Sequence, residues 1–115
     1  MIKVFLVEDE SLIREGLKEN IPWEQYGYQF VGDAADGEMA LPMIRATKPD
    51  VLITDIKMPF MDGLSLSKIV SAEFPKMKII IITFKYSNYP LINYKILIKT
   101  IVGNFRFITI TIRNI

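Results

Sequence analysis

Asp55 closes an apolar run, Val51-Leu52-Ile53-Thr54, and Glu8-Asp9 closes another, Val4-Phe5-Leu6-Val7. A carboxylate at the mouth of a buried strand is costly to desolvate, so its presence there points to a task. Both runs have the length and β-branched content of strands covered on both faces, as in a parallel sheet, and ligands of open α/β sheets sit at the strands' carboxyl ends. If the two strands are neighbours, three carboxylates converge at one edge. Taken singly, each has a plainer reading: Asp55 as a strand-end turn or helix-capping acid, Glu8-Asp9 as a pair at a helix start, where the dipole favours negative charge.

The chain has 115 residues with no cysteine and no histidine. Disulfides, thiolate nucleophiles, zinc sites of the Cys/His type and Ser-His-Asp triads are thereby excluded. Any metal must be held by oxygen ligands, which favours magnesium, manganese or calcium. Half the residues are apolar (50%), yet charges interrupt every run before the length of a membrane span. No basic n-region, long apolar segment or cleavage site precedes Ile2, which fits a cytoplasmic chain.

The elements that must position the carboxylates follow from periodicity. Residues 2 to 7 read as a buried strand, and Ser11 can cap a helix with Ile13, Leu17 and Ile21 on one face. Pro22 closes that helix, Trp23 to Gly27 is turn-like, and Tyr28 to Gly32 has strand character. Asp36-Gly37 starts a second helix, with Met39, Ala40, Met43, Ile44 and Ala46 as its apolar stripe. Pro42 falls inside it, at a cost of about 3 kcal/mol in a helix interior and less if the helix starts near Glu38. Lys48-Pro49-Asp50 leads into the strand bearing Asp55, and Asp62 caps a third helix carrying Leu64, Leu66, Ile69 and Val70, which Pro75 stops. Lys78 to Thr83 is a fourth strand. Strands alternating with helices imply a doubly wound parallel α/β sheet with right-handed crossovers.

In order and spacing, Val7-Glu8-Asp9-Glu10, Asp36-Gly37, Lys48-Pro49-Asp50, Thr54-Asp55-Ile56-Lys57-Met58-Pro59, Met61-Asp62-Gly63 and Ile79 to Thr83 resemble the receiver domain of two-component response regulators. The Trp23-Glu24 stretch resembles receivers that precede an AraC-type DNA-binding domain. The resemblance implies a flavodoxin-like (CheY-like) fold with strand order 2-1-3-4-5. It implies Asp55 as the acceptor of a phosphoryl group from a sensor histidine kinase, with Mg²⁺ held by Glu8 through water, by Asp9 and Asp55, and by the backbone carbonyl of Lys57. Thr83 matches the hydroxyl that follows the phosphoryl oxygens. No enzyme activity beyond self-phosphorylation and self-dephosphorylation is implied. Glu8 stands where the family more often has Asp, and the bulky Phe84 where a small residue is usual beside the phosphoryl site.

Two family elements are imitated poorly. Ile96-Leu97-Ile98-Lys99 resembles the fifth strand and its phosphoryl-pairing lysine, but Lys99 lies 16 residues after Thr83, fewer than the family's usual spacing. In place of a final amphipathic helix, Phe105 to Ile115 alternates, with Ile108, Ile110 and Ile112 on one face, as in a half-buried strand. Residues 1 to 83 carry nine basic and thirteen acidic residues, a balance of −4, whereas residues 84 to 115 carry five basic and no acidic ones, eight isoleucines and no alanine. The chain therefore reads as one receiver-like domain, 1–115, with a divergent tail from residue 84. The five charges scattered among isoleucines fit a solvated sheet edge better than a nucleic-acid surface. An unfinished edge would invite pairing with a second copy. The reading set against a working switch is a phosphorylation-incompetent interaction module, or a truncated remnant of a DNA-binding regulator.

The composition break predicts that residues 84 to 115 are read from a shifted frame. Translating the coding DNA after codon 83 in the other two frames is expected to give an alanine-rich helix followed by a Leu-Lys-Pro strand; their absence from both frames would overturn the idea.

Overall fold

A computed structural model of the chain describes residues 1 to 84 and 107 to 112, with 83, 84 and 107 to 112 as backbone. The elements are β1 (Ile2–Val7), α1 (Ser11–Asn20), a 3-10 turn (Trp23–Tyr26), β2 (Tyr28–Ala34), α2 (Gly37–Thr47), β3 (Val51–Asp55), α3 (Gly63–Glu73), β4 (Lys78–Phe84) and β5 (Phe107–Ile112). They form one sheet in the order β2-β1-β3-β4-β5, with each neighbouring pair parallel. The expected doubly wound order is thus present, and the alternating tail segment supplies the fifth strand beside β4. The strand expected at Ile96 to Ile98, Lys99, the ring of Phe84 and the final helix lie outside the described residues.

Side-chain alternation splits the strands between two cores. Val4, Leu6, Val51, Ile53, Ile80 and Ile82 pack with Ile13, Leu17, Ile21 and Trp23 on the α1 face. Phe5, Val7, Leu52, Ile79 and Ile81 pack with Ala40, Ile44, Leu66 and Val70 on the face of α2 and α3. This two-sided burial is why the strands are continuous apolar runs rather than alternating ones. The Trp23 indole donates to the Leu17 carbonyl at 3.1 Å, which ties the 3-10 turn to α1 and satisfies the ring's only polar group.

Asp50 pins the opposite end of the sheet from Asp55. Its carboxylate accepts from the Lys3 amide at 2.8 Å, its own amide donates to the Lys3 carbonyl and its carbonyl accepts from Lys78. One residue thereby fixes the relative register of β1, β3 and β4. Lys48, at φ 47°, ends α2 in the left-handed region and donates its amide to the Ile44 carbonyl.

Three local expectations need correction. Glu10, not Ser11, is the N-cap of α1, and it makes no side-chain capping bond. On α2 the buried face is Gly37, Ala40 and Ile44, with Leu41 packed against it; Met39 and Met43 are exposed, as is Ala46. Ala40 and Ile44 of the expected stripe are thus buried, and the buried face is narrower than hydrophobicity alone suggests and continues to Gly37. Likewise Leu64 on α3 is exposed and Ser67 is buried, its hydroxyl donating to the Gly63 carbonyl at 2.6 Å. Pro42 stands inside α2 as anticipated, on its exposed side.

Ile44→Ala is expected to cost about 2–5 kcal/mol in denaturant unfolding because the side chain is fully buried, whereas Met43→Ala should stay within about 0.5 kcal/mol. Equal losses at the two positions would restore the wider stripe.

Candidate functional site

β1 and β3 are adjacent, with Val7 opposite Thr54, so the residues that follow them leave the sheet side by side. Glu8, Asp9 and Asp55 each place a carboxylate oxygen within 4.8 Å of the others. Glu8 is 2% exposed, Asp55 is half-buried and Asp9 is open to solvent. The three converge at one edge as expected and grade from interior to surface around one point.

Each main-chain turn at the site is held by named contacts. The Glu8 amide donates to the Ala34 carbonyl at 3.0 Å, and a Glu8 carboxylate oxygen accepts from the Glu10 amide at 3.1 Å. The Asp55 carboxylate accepts from the Ile56 amide at 2.7 Å, while the Thr54 hydroxyl donates to the Asp55 carbonyl at 2.9 Å. Behind that carbonyl comes the start of α3. A Cβ added to Gly63 would stand 1.8 Å from the Asp55 oxygen, so only glycine lets α3 begin directly under the acid. The Gly63 amide donates to the Ile56 carbonyl at 2.8 Å, and Asp62 caps the helix by accepting from the Ser65 amide at 2.7 Å.

The loop between β3 and α3 is clamped from the α2 side as well. The Gly37 amide donates to the Met61 carbonyl at 3.2 Å, and a Cβ on Gly37 would press on Met61 at 2.9 Å. Between these clamps the Met61 amide bonds back to the Pro59 carbonyl at 2.8 Å, which leaves Phe60 at φ 66°. A three-residue turn of this hand is rare and strained, at about 1–3 kcal/mol. Met58-Pro59 is therefore turn geometry, as read from the sequence, but the strain falls on Phe60, which the sequence did not single out. Its ring is 87% exposed.

Lys57 is exposed and lines, with Asp9, Ile56, Met58 and Asp62, an open crevice of about 450 Å³. Thr83 follows Ile82, the residue in register with Asp55, so its backbone lies at the same strand end. Lys99 lies outside the described residues.

Burial and neighbouring charge set the electrostatics of the cluster. Burial, reinforced by the Asp55 charge, pushes the Glu8 carboxyl up to about 9 against the pull of the Glu10 amide. Asp55 is raised for the same first reason, burial, with the Asp9 charge adding to it and the Ile56 amide opposing. Asp62, beside the crevice but outside the cluster, is lowered by its bond from the Ser65 amide. An all-oxygen set of convergent, electrostatically stressed carboxylates fits a hard divalent ion, which would relieve the repulsion. Arg14, whose contact with this turn is described below, was not anticipated: no spacing rule connects a residue inside α1 to a carbonyl before it.

The response regulator receiver domain pattern matches residues 4–97. The chain is similar to the transcriptional regulatory protein YesN of Bacillus subtilis, 41% identical over 83 residues, which are 72% of this chain and 23% of that protein. Among solved structures it is similar to the REC domain of AraT, a response regulator from Geobacillus stearothermophilus, with TM-score 0.72 and 32% identity over 94% of this chain and 79% of the other. A two-component transcriptional regulator AraC from Clostridium phytofermentans gives TM-score 0.73 and 28% identity over 96% and 81%. The matched segment is 26% and 23% of the length of two curated relatives, about a quarter of each.

A raised carboxyl pKa means that the folded chain keeps a proton which the unfolded chain releases near 4.5. Metal-free stability should therefore be greatest below that pH and fall as pH rises toward the folded value of about 9, because the unfolded state binds fewer protons throughout that window. Denaturant unfolding in a chelator across this range should show the decline, and Glu8→Gln should flatten it. A slope unchanged by Glu8→Gln would overturn this reading of the cluster.

Proposed function

The chain belongs to the response regulator receiver family, and from that membership we propose that Asp55 accepts a phosphoryl group from the phosphohistidine of a sensor histidine kinase. The observation that carries this reading is the convergence of Glu8, Asp9 and Asp55 within 4.8 Å at the carboxyl ends of adjacent strands. An Asp55 carboxylate oxygen forms the new bond to phosphorus as the phosphorus–nitrogen bond of the donor breaks, and the departing imidazole nitrogen takes up a proton. The product is an acyl phosphate.

Such a transfer asks the protein for positioning and charge neutralisation more than for an acid or base. Mg²⁺, when bound, would offset the charge of the phosphoryl oxygens and of the acids around them. Asp9 and Asp55 would hold it directly, Glu8 through water, and the Lys57 carbonyl would supply a further oxygen. The buried side of the cluster keeps Asp55 in place: the Ile56 amide orients its carboxylate, and the start of α3 packs behind its carbonyl. We assign the Thr83 hydroxyl to the arriving phosphoryl oxygens; Lys99, expected to pair with their charge from the end of a strand at 96–98, lies outside the described residues. The domain is a phosphoacceptor rather than an enzyme with a turnover substrate, acting in the cytoplasm as one receiver-like unit with a divergent tail. A second copy pairing at the sheet edge is its proposed oligomeric partner, and no direct contact with nucleic acid is assigned to it.

Incubation with acetyl phosphate and Mg²⁺ followed by intact-mass measurement is expected to show one phosphoryl adduct on the native chain and none on Asp55→Asn. Chelation should abolish the adduct. No adduct on the native chain would favour the other reading, an inert interaction module.

A further inference from the structure

Arg14 stands one turn into α1 with its side chain only 18% exposed, and its Nε lies 3.2 Å from an Asp33 carboxylate oxygen. From there Nη1 donates to the Glu8 carbonyl at 2.6 Å. The other Asp33 oxygen faces the Lys18 ammonium at 3.3 Å. Asp33 lies near the end of β2, in register with Leu6 of β1. A single guanidinium thus joins the helix after β1, the end of the neighbouring strand and the turn that carries the acids.

The carbonyl it holds belongs to the peptide that links Glu8 to Asp9. A peptide unit is planar, so fixing the direction of its C=O also fixes the direction in which the Asp9 Cα departs. The other polar groups of Glu8 are engaged elsewhere: its amide with Ala34 and a carboxylate oxygen with the Glu10 amide. Asp9 is exposed, and it has no comparable burial of its own to hold it over the cluster.

We propose that Arg14 is a positioning residue for the acidic site, acting through the Glu8–Asp9 peptide with Asp33 as its orienting anchor. The inference rests on the cation-binding reading of that site. Lysine in its place would keep the charge and lose the planar fork that reaches two acceptors at once, so it should rescue only in part. Asp33→Asn would leave the carbonyl bond and loosen the anchor.

The test is direct Mn²⁺ binding to the full chain, followed by the loss of the free-ion electron paramagnetic resonance signal, with metal-free unfolding measured alongside. Arg14→Ala should raise the Mn²⁺ dissociation constant about tenfold, with Arg14→Lys and Asp33→Asn between it and the native value, as expected when an outer hydrogen-bond partner of a metal site is removed. A purely structural role would lower stability and leave the dissociation constant of the folded protein unchanged; that result would overturn the proposal. Should Arg14→Ala fail to fold, native-like Mn²⁺ affinity in both Arg14→Lys and Asp33→Asn would overturn it equally. A native chain that binds no Mn²⁺ would remove the cation site itself and this inference with it. That outcome is distinct from a native chain that binds and variants that bind as well.

Discussion

Holding three carboxyl groups within 4.8 Å of one another, against the cost of burying them and the repulsion of their charges, is the constraint on which the site depends. Left to itself such a cluster would spread, since each acid gains hydration and loses repulsion by moving apart. The scaffold prevents this by attaching the acids to elements that cannot move independently. Two neighbouring parallel strands supply them, and those strands are buried on both faces by separate apolar cores. The energy that gathers the acids is hydrophobic, supplied by Val4 to Val7 and Val51 to Ile53, and the acids ride on the ends.

Rigidity at the site end is steric as much as hydrogen-bonded. Gly63 allows α3 to begin against the Asp55 carbonyl, and Gly37 allows α2 to begin against Met61, so two helix starts brace one loop. That brace sustains Phe60 at a positive φ, a conformation that a freer loop would relax. At the far end the geometry is fixed by polar means, with Asp50 bonded to both Lys3 and Lys78. Distance between the ends is set by strand length, so a register slip at Asp50 would shift Asp55 against Glu8 and Asp9.

Much of this was legible in the sequence because it rests on local rules. Unbroken apolar runs marked strands buried on both faces, Asp36 and Asp62 announced helix starts that both accept the expected amide bonds, and the acids at two strand ends pointed to one edge. What stayed hidden depends on three-dimensional neighbours. Met39, Met43 and Leu64 look like core by type and are exposed, while Gly37 and Ser67, which no hydrophobic pattern marks, are buried. No sequence pattern singled out Arg14, because one of its partners, Asp33, is brought to it only when β2 closes against β1.

The same logic explains why the site end and the tail can differ in character within one domain. Glu8, Asp9 and Asp55 depend on β1, β3 and the helices that begin beside them, all drawn from the residues before 84. Among the described residues the fifth strand pairs in the sheet with β4 alone, through Ile79 to Phe84, at the edge away from β1. A change of composition after residue 83 therefore leaves the acid cluster's own supports intact. Gathering the carboxylates needs β1, β3 and the helix starts beside them, so the acid cluster can persist whatever sequence follows β4.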